Sequence, residues 1–151
     1  MLPLIAIHGP TASGKSALAL TVARAFDGVV INADAMQVYR ELPILSAAPS
    51  LSEQALAPHR LYGVLSAAEP CSAARWRALA VPEIEAAWAA RRVPIIVGGT
   101  GLYINALLKG LSPIPEIAET VRAEARALLA RLGAPGLHAQ LAERDPVMAE
   151  R

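Results

Sequence analysis

The sequence predicts an α/β fold: a parallel sheet with helices on both faces, followed by the start of an all-helical segment. Short, wholly apolar runs at residues 2–7, 29–31 and 95–97 each end in glycine or polar residues, as strands buried on both faces do. Stretches with helical character alternate with them, the pattern of parallel strands joined by crossovers. After Val97 no such run recurs, and apolar residues return only at helical spacing.

In chain order, the strand at 2–7 leads into a glycine-rich turn and a helix over 17–24. Gly28 precedes a second strand at 29–32, and residues 41–58, with Pro43, Pro49 and Pro58, read as mostly loop. Residues 60–65 form a weaker third strand. Ser72 is placed to cap a long Ala-rich helix reaching about residue 92, which Pro82 should kink or split. Its Trp76, Ala80, Ile84 and Trp88 recur at helical spacing and read as core. A strand at 94–97 and a helix over 102–109 complete an α/β core spanning 1–112, incomplete at its C-terminal end. Two prolines then break the chain. In 113–151 a stripe of Ile117, Val121, Ala125, Leu128 and Leu132 makes one helix, and residues 137–143 begin another.

Composition narrows the function. The chain has 151 residues, 14 Lys+Arg against 13 Asp+Glu, and a net charge of +1, which excludes a uniformly basic nucleic-acid coat but not a local basic face. Cys71 is the sole cysteine, so no internal disulfide can form and a reducing, cytoplasmic setting is expected. The apolar N-terminus is too short to span a membrane and lacks the basic start of a signal peptide. Lysine occurs only twice, at Lys15 and Lys109, in a chain with twelve arginines.

That isolated Lys15 lies in GPTASGKS at residues 9–16, which fits G-x-x-x-x-G-K-[ST] between a strand and a helix. Glycines let the backbone wrap an anion, and successive N–H groups converge on it at the helix start. Lys15 adds a point charge, and the Ser16 hydroxyl is placed to ligate Mg²⁺. The loop reads a di- or triphosphate, and no N-K-x-D guanine reader accompanies it. The strand at 95–97 ends in glycines with no acid, so the second-strand carboxylate, Asp34, is the residue expected to face the phosphates across the carboxyl edge of the sheet. It could accept a proton or hold a metal-bound water, or simply cap a turn. Gly98-Gly99-Thr100-Gly101 brings a second set of backbone N–H groups to that edge, though a tight strand-to-helix connection would use glycines anyway.

Three segments together are more specific. GPTASGKS at 9–16, ADAMQVYR at 33–40 and GGTGLY at 98–103 resemble, in order and spacing, the tRNA dimethylallyltransferase (isopentenyl-tRNA transferase) family. PHRL at 58–61 and LSPIP at 111–115 resemble two further elements of that family, so the likeness covers nearly the whole chain. Its pattern usually has serine where Ala35 stands and lysine where Ala48 stands, and members run to about twice this length. The chain thus resembles their N-terminal portion.

The resemblance implies a P-loop NTPase-like fold and transfer of a dimethylallyl group from dimethylallyl diphosphate to N6 of adenosine 37 in tRNAs that read codons beginning with U. It assigns catalysis to Asp34, as general base, with Thr100 and Lys15. Diphosphate binding falls to Gly9, Thr11, Ala12, Ser13, Gly14, Lys15 and Ser16, with Ser16 on Mg²⁺. Contact with the tRNA anticodon stem-loop falls to Asp34, Ala35, Met36, Gln37, Thr100 and Arg122, Gln37 reading the adenine edge. For Arg122 the alternative is an ion pair with Glu119 on the same helix. His8 is expected to pack at a strand end, and His59 is a weaker candidate for lining the site. The expected protein is a monomeric transferase with no membrane contact. A P-loop small-molecule kinase and a nucleotide- or RNA-binding module without chemistry are the alternatives.

Overall fold

The computed structural model describes residues 3–112 and 117–151, and the chain divides into two compact units, Met1–Leu111 and Ser112–Arg151. In the first unit β1 (Ile5–His8), β2 (Gly28–Asn32), β3 (His59–Arg60) and β4 (Val93–Gly98) form a four-stranded sheet in the order β1-β4-β2-β3. Every pairing is parallel, with Ile5 opposite Ile95 and Asn32 opposite Val97. Helices α1 (Lys15–Ala25), α2 (Leu51–Gln54), α3 (Ala73–Ala89) and α4 (Gly101–Lys109) connect or follow the strands.

Because strand side chains alternate between faces, β2 and β4 feed two separate cores. Val29, Ile31 and Ile96 pack with Trp76, Ala80 and Ile84 of α3 and with Tyr103 and Ile104 of α4. Val30, Ile95 and Val97 point the other way, onto Ala19 and Ala23 of α1. All of β2 is buried, which is why its sequence runs apolar without alternation.

Three expectations need correction. The first strand lies at Ile5–His8, not 2–7, and it is an edge strand with Ala6 and His8 exposed, since β4 is its one neighbour in the sheet; Leu2 lies outside the described residues. The third strand has two residues instead of six, because Leu61 (φ 63°) and Gly63 (φ 60°) take left-handed conformations that end the ladder. Pairing resumes only as a bridge from Tyr39 to Leu65. In agreement with a mostly loop reading, residues 41–58 hold only the four-residue α2, closed by a reciprocal cap between Ser50 and Glu53. Pro82 does not split α3, which runs unbroken from Ala73 to Ala89. Pro82 and Ala78, whose carbonyl loses its helical partner, both lie on the exposed side, while Trp76, Ala80 and Ile84 anchor the other. Trp88 is half-buried, its Nε1 donating to the Pro3 carbonyl at 2.8 Å.

The second unit comprises α5 (Glu119–Arg144) and α6 (Pro146–Ala149). Gly133 (φ 67°, ψ 174°) breaks α5 into two helical segments with a conformation that a residue bearing Cβ rarely adopts. No described residue of α5 or α6 is buried. Residues 113–115 of the LSPIP motif lie outside the described residues. Among the described residues no helix is long and apolar enough to cross a membrane.

Candidate functional site

The loop between β1 and α1 is shaped by its backbone. Ala12 (φ 61°) and Gly14 (φ 83°) are left-handed, and alternation of this kind turns successive N–H groups toward one point. Gly14 occupies the N-cap of α1 without a side-chain cap, and no acid stands in the first turn. The helix start is thus left open to an external anion, whereas α2 and α3 begin with serine caps of their own. The Lys15 ammonium donates to the Pro10 carbonyl, and Ser16 is exposed beside it.

Across the carboxyl edge, Asp34 is held by Asn32, the buried polar residue of the first unit's core. Asn32 Oδ1 accepts the Asp34 N–H at 2.8 Å, while its Nδ2 donates to the carbonyls of Asp34 and Leu61, both at 3.1 Å. The Asn32 carbonyl in turn accepts Trp76 Nε1 at 2.8 Å, and Trp76 stacks on Tyr103 with centroids 4.8 Å apart. Asp34 Oδ1 accepts the Met36 N–H at 2.9 Å, so the turn-capping role is real, and Oδ2 remains for other work. Gly98 makes this arrangement possible: a Cβ there would stand 2.2 Å from the Ala33 carbonyl carbon and oxygen and 2.7 Å from the Asp34 nitrogen. Thr100 ties the same loop down, its Oγ1 accepting the Ala35 N–H at 2.9 Å, which leaves the start of α4 without a side-chain cap.

One cavity of about 420 Å³ joins the two halves. Thr11, Ala12, Ser13, Gly14, Lys15 and Ser16 line it together with Asp34, Gln37, Ser46, Ala47, Glu53, Tyr62, Val97 and Gly98. Gln37 is pinned, its Nε2 donating to the carbonyls of Ser46 at 2.8 Å and Ala47 at 3.2 Å, so the loop after it forms a wall. Hydrogen bonds from the Ser50 hydroxyl and backbone hold the Glu53 carboxyl below its usual range. Burial, reinforced by the charges of Asp34 and Glu53, pushes the Tyr62 hydroxyl well above the ordinary phenol range. A second cavity, about 490 Å³, lies within the second unit against Leu128, Leu137 and Leu141 and offers little polar chemistry.

Of the residues singled out from sequence, Thr11 to Ser16, Asp34 and Gln37 therefore meet in one cavity. Ala35 and Thr100 lie just behind it, and Met36 is 45% exposed. Arg122 is exposed on α5 of the second unit, and Glu119 pairs with Arg126 instead of Arg122. His8 Nδ1 bonds the Gly98 carbonyl at 3.0 Å, and His59 Nδ1 bonds the Ala57 carbonyl at 2.8 Å. Ser46, Ala47, Glu53 and Tyr62 were not anticipated. Tyr62 has a signal nearby, as the residue after the PHRL element, and Ser46 and Ala47 directly precede Ala48, where the family's pattern has lysine; Glu53 has none.

A sheet of this order, with a glycine-rich loop leading from β1 into α1, is a P-loop NTPase-like α/β fold. A family model described as IPP transferase matches residues 37–151, and one described as isopentenyl transferase matches residues 2–66. A tRNA dimethylallyltransferase of Rhodospirillum rubrum is 66% identical over 149 residues, covering 99% of this chain and 46% of that protein. One from Paramagnetospirillum magneticum is 60% identical, over 99% of this chain and 47% of its own length. Among solved structures, the full-length tRNA isopentenylpyrophosphate transferase of Bacillus halodurans superposes with a TM-score of 0.73 at 36% identity, covering 99% of this chain and 50% of that one. A eukaryotic dimethylallyltransferase acting on tRNA gives 0.80 at 28% identity, covering 99% of this chain and 37% of that one. The chain thus spans about half the length of the curated relatives it matches. With a family model matched across residues 37–151 and a fold and phosphate loop that agree with it, the chain belongs to the IPP transferase family.

Proposed function

We propose that this chain carries the donor site and proton acceptor of an enzyme that transfers a dimethylallyl group from dimethylallyl diphosphate to N6 of adenosine 37 in the tRNA anticodon loop. The observation that carries this reading is the single cavity lined by both the phosphate loop and Asp34. The N–H groups of residues 11–16 and the Lys15 ammonium take the diphosphate. The adenine N6 lone pair attacks C1 of the allyl group, the C1–O bond breaks, and pyrophosphate leaves with the bonding electrons. Asp34 Oδ2 takes the N6 proton, its partner Oδ1 being held by Met36. Donors preorganised at the loop oppose the charge gathering on the leaving group.

Among the described residues no cluster of three or more His, Cys, Asp or Glu could cage a metal. That suits Mg²⁺, which is commonly held by one or two protein oxygens plus substrate phosphates; Ser16 is the residue that would hold it. Bound there, it would neutralise charge on the departing pyrophosphate. Thr100, by fixing the Ala35 N–H, keeps Asp34 in place and has its own O–H proton to donate to the nucleotide. The Gln37 amide oxygen is left to accept from the adenine edge, and the Arg122 guanidinium to meet a tRNA phosphate. Working as a monomer is the simplest arrangement, since the phosphate loop and Asp34 belong to one chain.

The test is a prenylation assay with Mg²⁺, dimethylallyl diphosphate and an anticodon stem-loop bearing A36-A37-A38, using this chain joined to the remaining residues of the Rhodospirillum rubrum relative. Asp34→Ala should lower the rate by about 10²–10⁴-fold while the stem-loop still binds. Product formation that ignores Asp34→Ala would sink the assignment.

A further inference from the structure

Resting on the reading that the loop after β1 grips a diphosphate, we propose that Tyr62 is a further diphosphate-binding residue, its hydroxyl donating a hydrogen bond to a phosphoryl oxygen. The need for such a donor follows from charge. The side chains lining the cavity supply one cation, Lys15, against two carboxylates, Asp34 and Glu53. A diphosphate entering that space depends on N–H and O–H donors, and residues 11–17 provide them on one wall.

On the wall built from residues 34–62, side-chain donors are nearly all committed. Both Gln37 Nε2 hydrogens go to the carbonyls of Ser46 and Ala47, and the Ser46 hydroxyl donates to the Leu42 carbonyl at 2.7 Å. Asp34 and Glu53 are acceptors. Tyr62 is left. Its hydroxyl forms no hydrogen bond among the described residues, yet no buried side-chain oxygen or nitrogen there lacks a partner, so this oxygen is not fully enclosed, and its residue lines the cavity.

The ring is well held for the task. The left-handed Leu61 ends β3 immediately before it, and the ring packs on the apolar cluster that includes Ala19, Val30 and Val97. His59 meets it edge-on at 5.4 Å and is itself anchored to the Ala57 carbonyl. Tyr62 and Ser16 also share the small adjoining cavity beneath α1, so the phenol stands on the same side as the hydroxyl proposed for the metal. Burial and the neighbouring carboxylates keep the phenol protonated, hence a donor, across any ordinary assay pH.

Tyr62→Phe removes the hydroxyl and keeps the ring. Titration calorimetry of the chain with inorganic pyrophosphate and with dimethylallyl diphosphate, each with Mg²⁺, should show both binding about tenfold more weakly, as for loss of one hydrogen bond to a charged group. The thermal midpoint without ligand should stay unchanged, because no protein partner is lost. If the wild-type chain binds pyrophosphate and Tyr62→Phe binds it within twofold, the role of Tyr62 is overturned and the donor site stands. If the wild-type chain binds neither ligand, both readings fall together.

Discussion

The two units of this chain are both rich in apolar residues, and they bury them very differently. In the first, Trp76, Ile31, Ile95 and Ile96 are fully enclosed between the sheet and its helices. In the second, Ile117 and Val121 remain 50% and 53% exposed, and α5 buries no side chain. What separates them is the number of layers. A central sheet offers two faces and receives a helix on each, whereas a broken helix with a four-residue companion closes over neither of its sides. An apolar stripe is half of an interface, and only the first unit contains both halves.

Truncating one large side chain in each unit would break this comparison if it is wrong. Trp76→Ala empties a site with no exposed area and strips Asn32 of the indole hydrogen bond, so denaturant unfolding should lose about 3–5 kcal/mol. Leu141→Ala, at a side chain 41% exposed, should lose less than about 1 kcal/mol in the same experiment. Both tryptophans lie in the first unit, so emission reads that unit alone and far-ultraviolet dichroism reads both. Equal losses for the two variants would mean the second unit has a core that its exposures do not reveal.

A smaller effect sharpens the picture within the first unit, where core and site share backbone. Gly98→Ala would drive a methyl into the Ala33–Asp34 peptide, at 2.2 Å from the carbonyl, where the nearest atoms are all backbone and no flexible side chain can yield. The expected loss is about 1–3 kcal/mol of stability. Pyrophosphate binding, which draws mainly on residues 11–16, should suffer less than turnover, which needs Asp34 aligned. A Gly98→Ala chain that melts at the wild-type temperature would show the strand end to be looser than its geometry implies.

How far the sequence could have led to these features depends on whether the physics is local. Strands buried on both faces leave continuous apolar runs, and the phosphate loop has its own spacing, so β2, β4 and the Gly9–Ser16 stretch could be read directly. The edge position of β1 could not, because an apolar run does not state how many neighbours its strand has. Nor could the far wall of the cavity. It depends on Leu61 adopting a left-handed backbone, which leucine rarely does and no neighbouring residue announces. Hence the third strand is shorter than its apolar pattern suggests, and Tyr62 carries no motif of its own. Asn32 reads as no more than the last residue of the second strand, and only the positions of Leu61 and Trp76 reveal that it organises the site.

Acid should reveal the least of these differences, and it too belongs to the first unit. Glu41, Glu53 and Glu69 are all held below the ordinary carboxylate value of 4.5, Glu41 chiefly by the Ala67 N–H, Glu53 by Ser50 and Glu69 by Arg75. A carboxyl whose pKa is depressed by folding adds stability that is complete above its unfolded value and is lost as pH falls through the folded one. Glu41 and Glu53 are exposed and the Glu69 side chain is 44% exposed, so solvent screening keeps each contribution small. Between pH 6 and 5 stability should therefore be flat in this respect, and a shallow loss should begin below about pH 4.5. Ser50→Ala removes the principal partner of Glu53 and should flatten part of that slope, as read by tryptophan emission in urea melts at a series of pH values. An unaltered slope would place the acid sensitivity elsewhere and leave the Ser50–Glu53 cap a local feature of α2, with no bearing on how firmly the cavity wall is held.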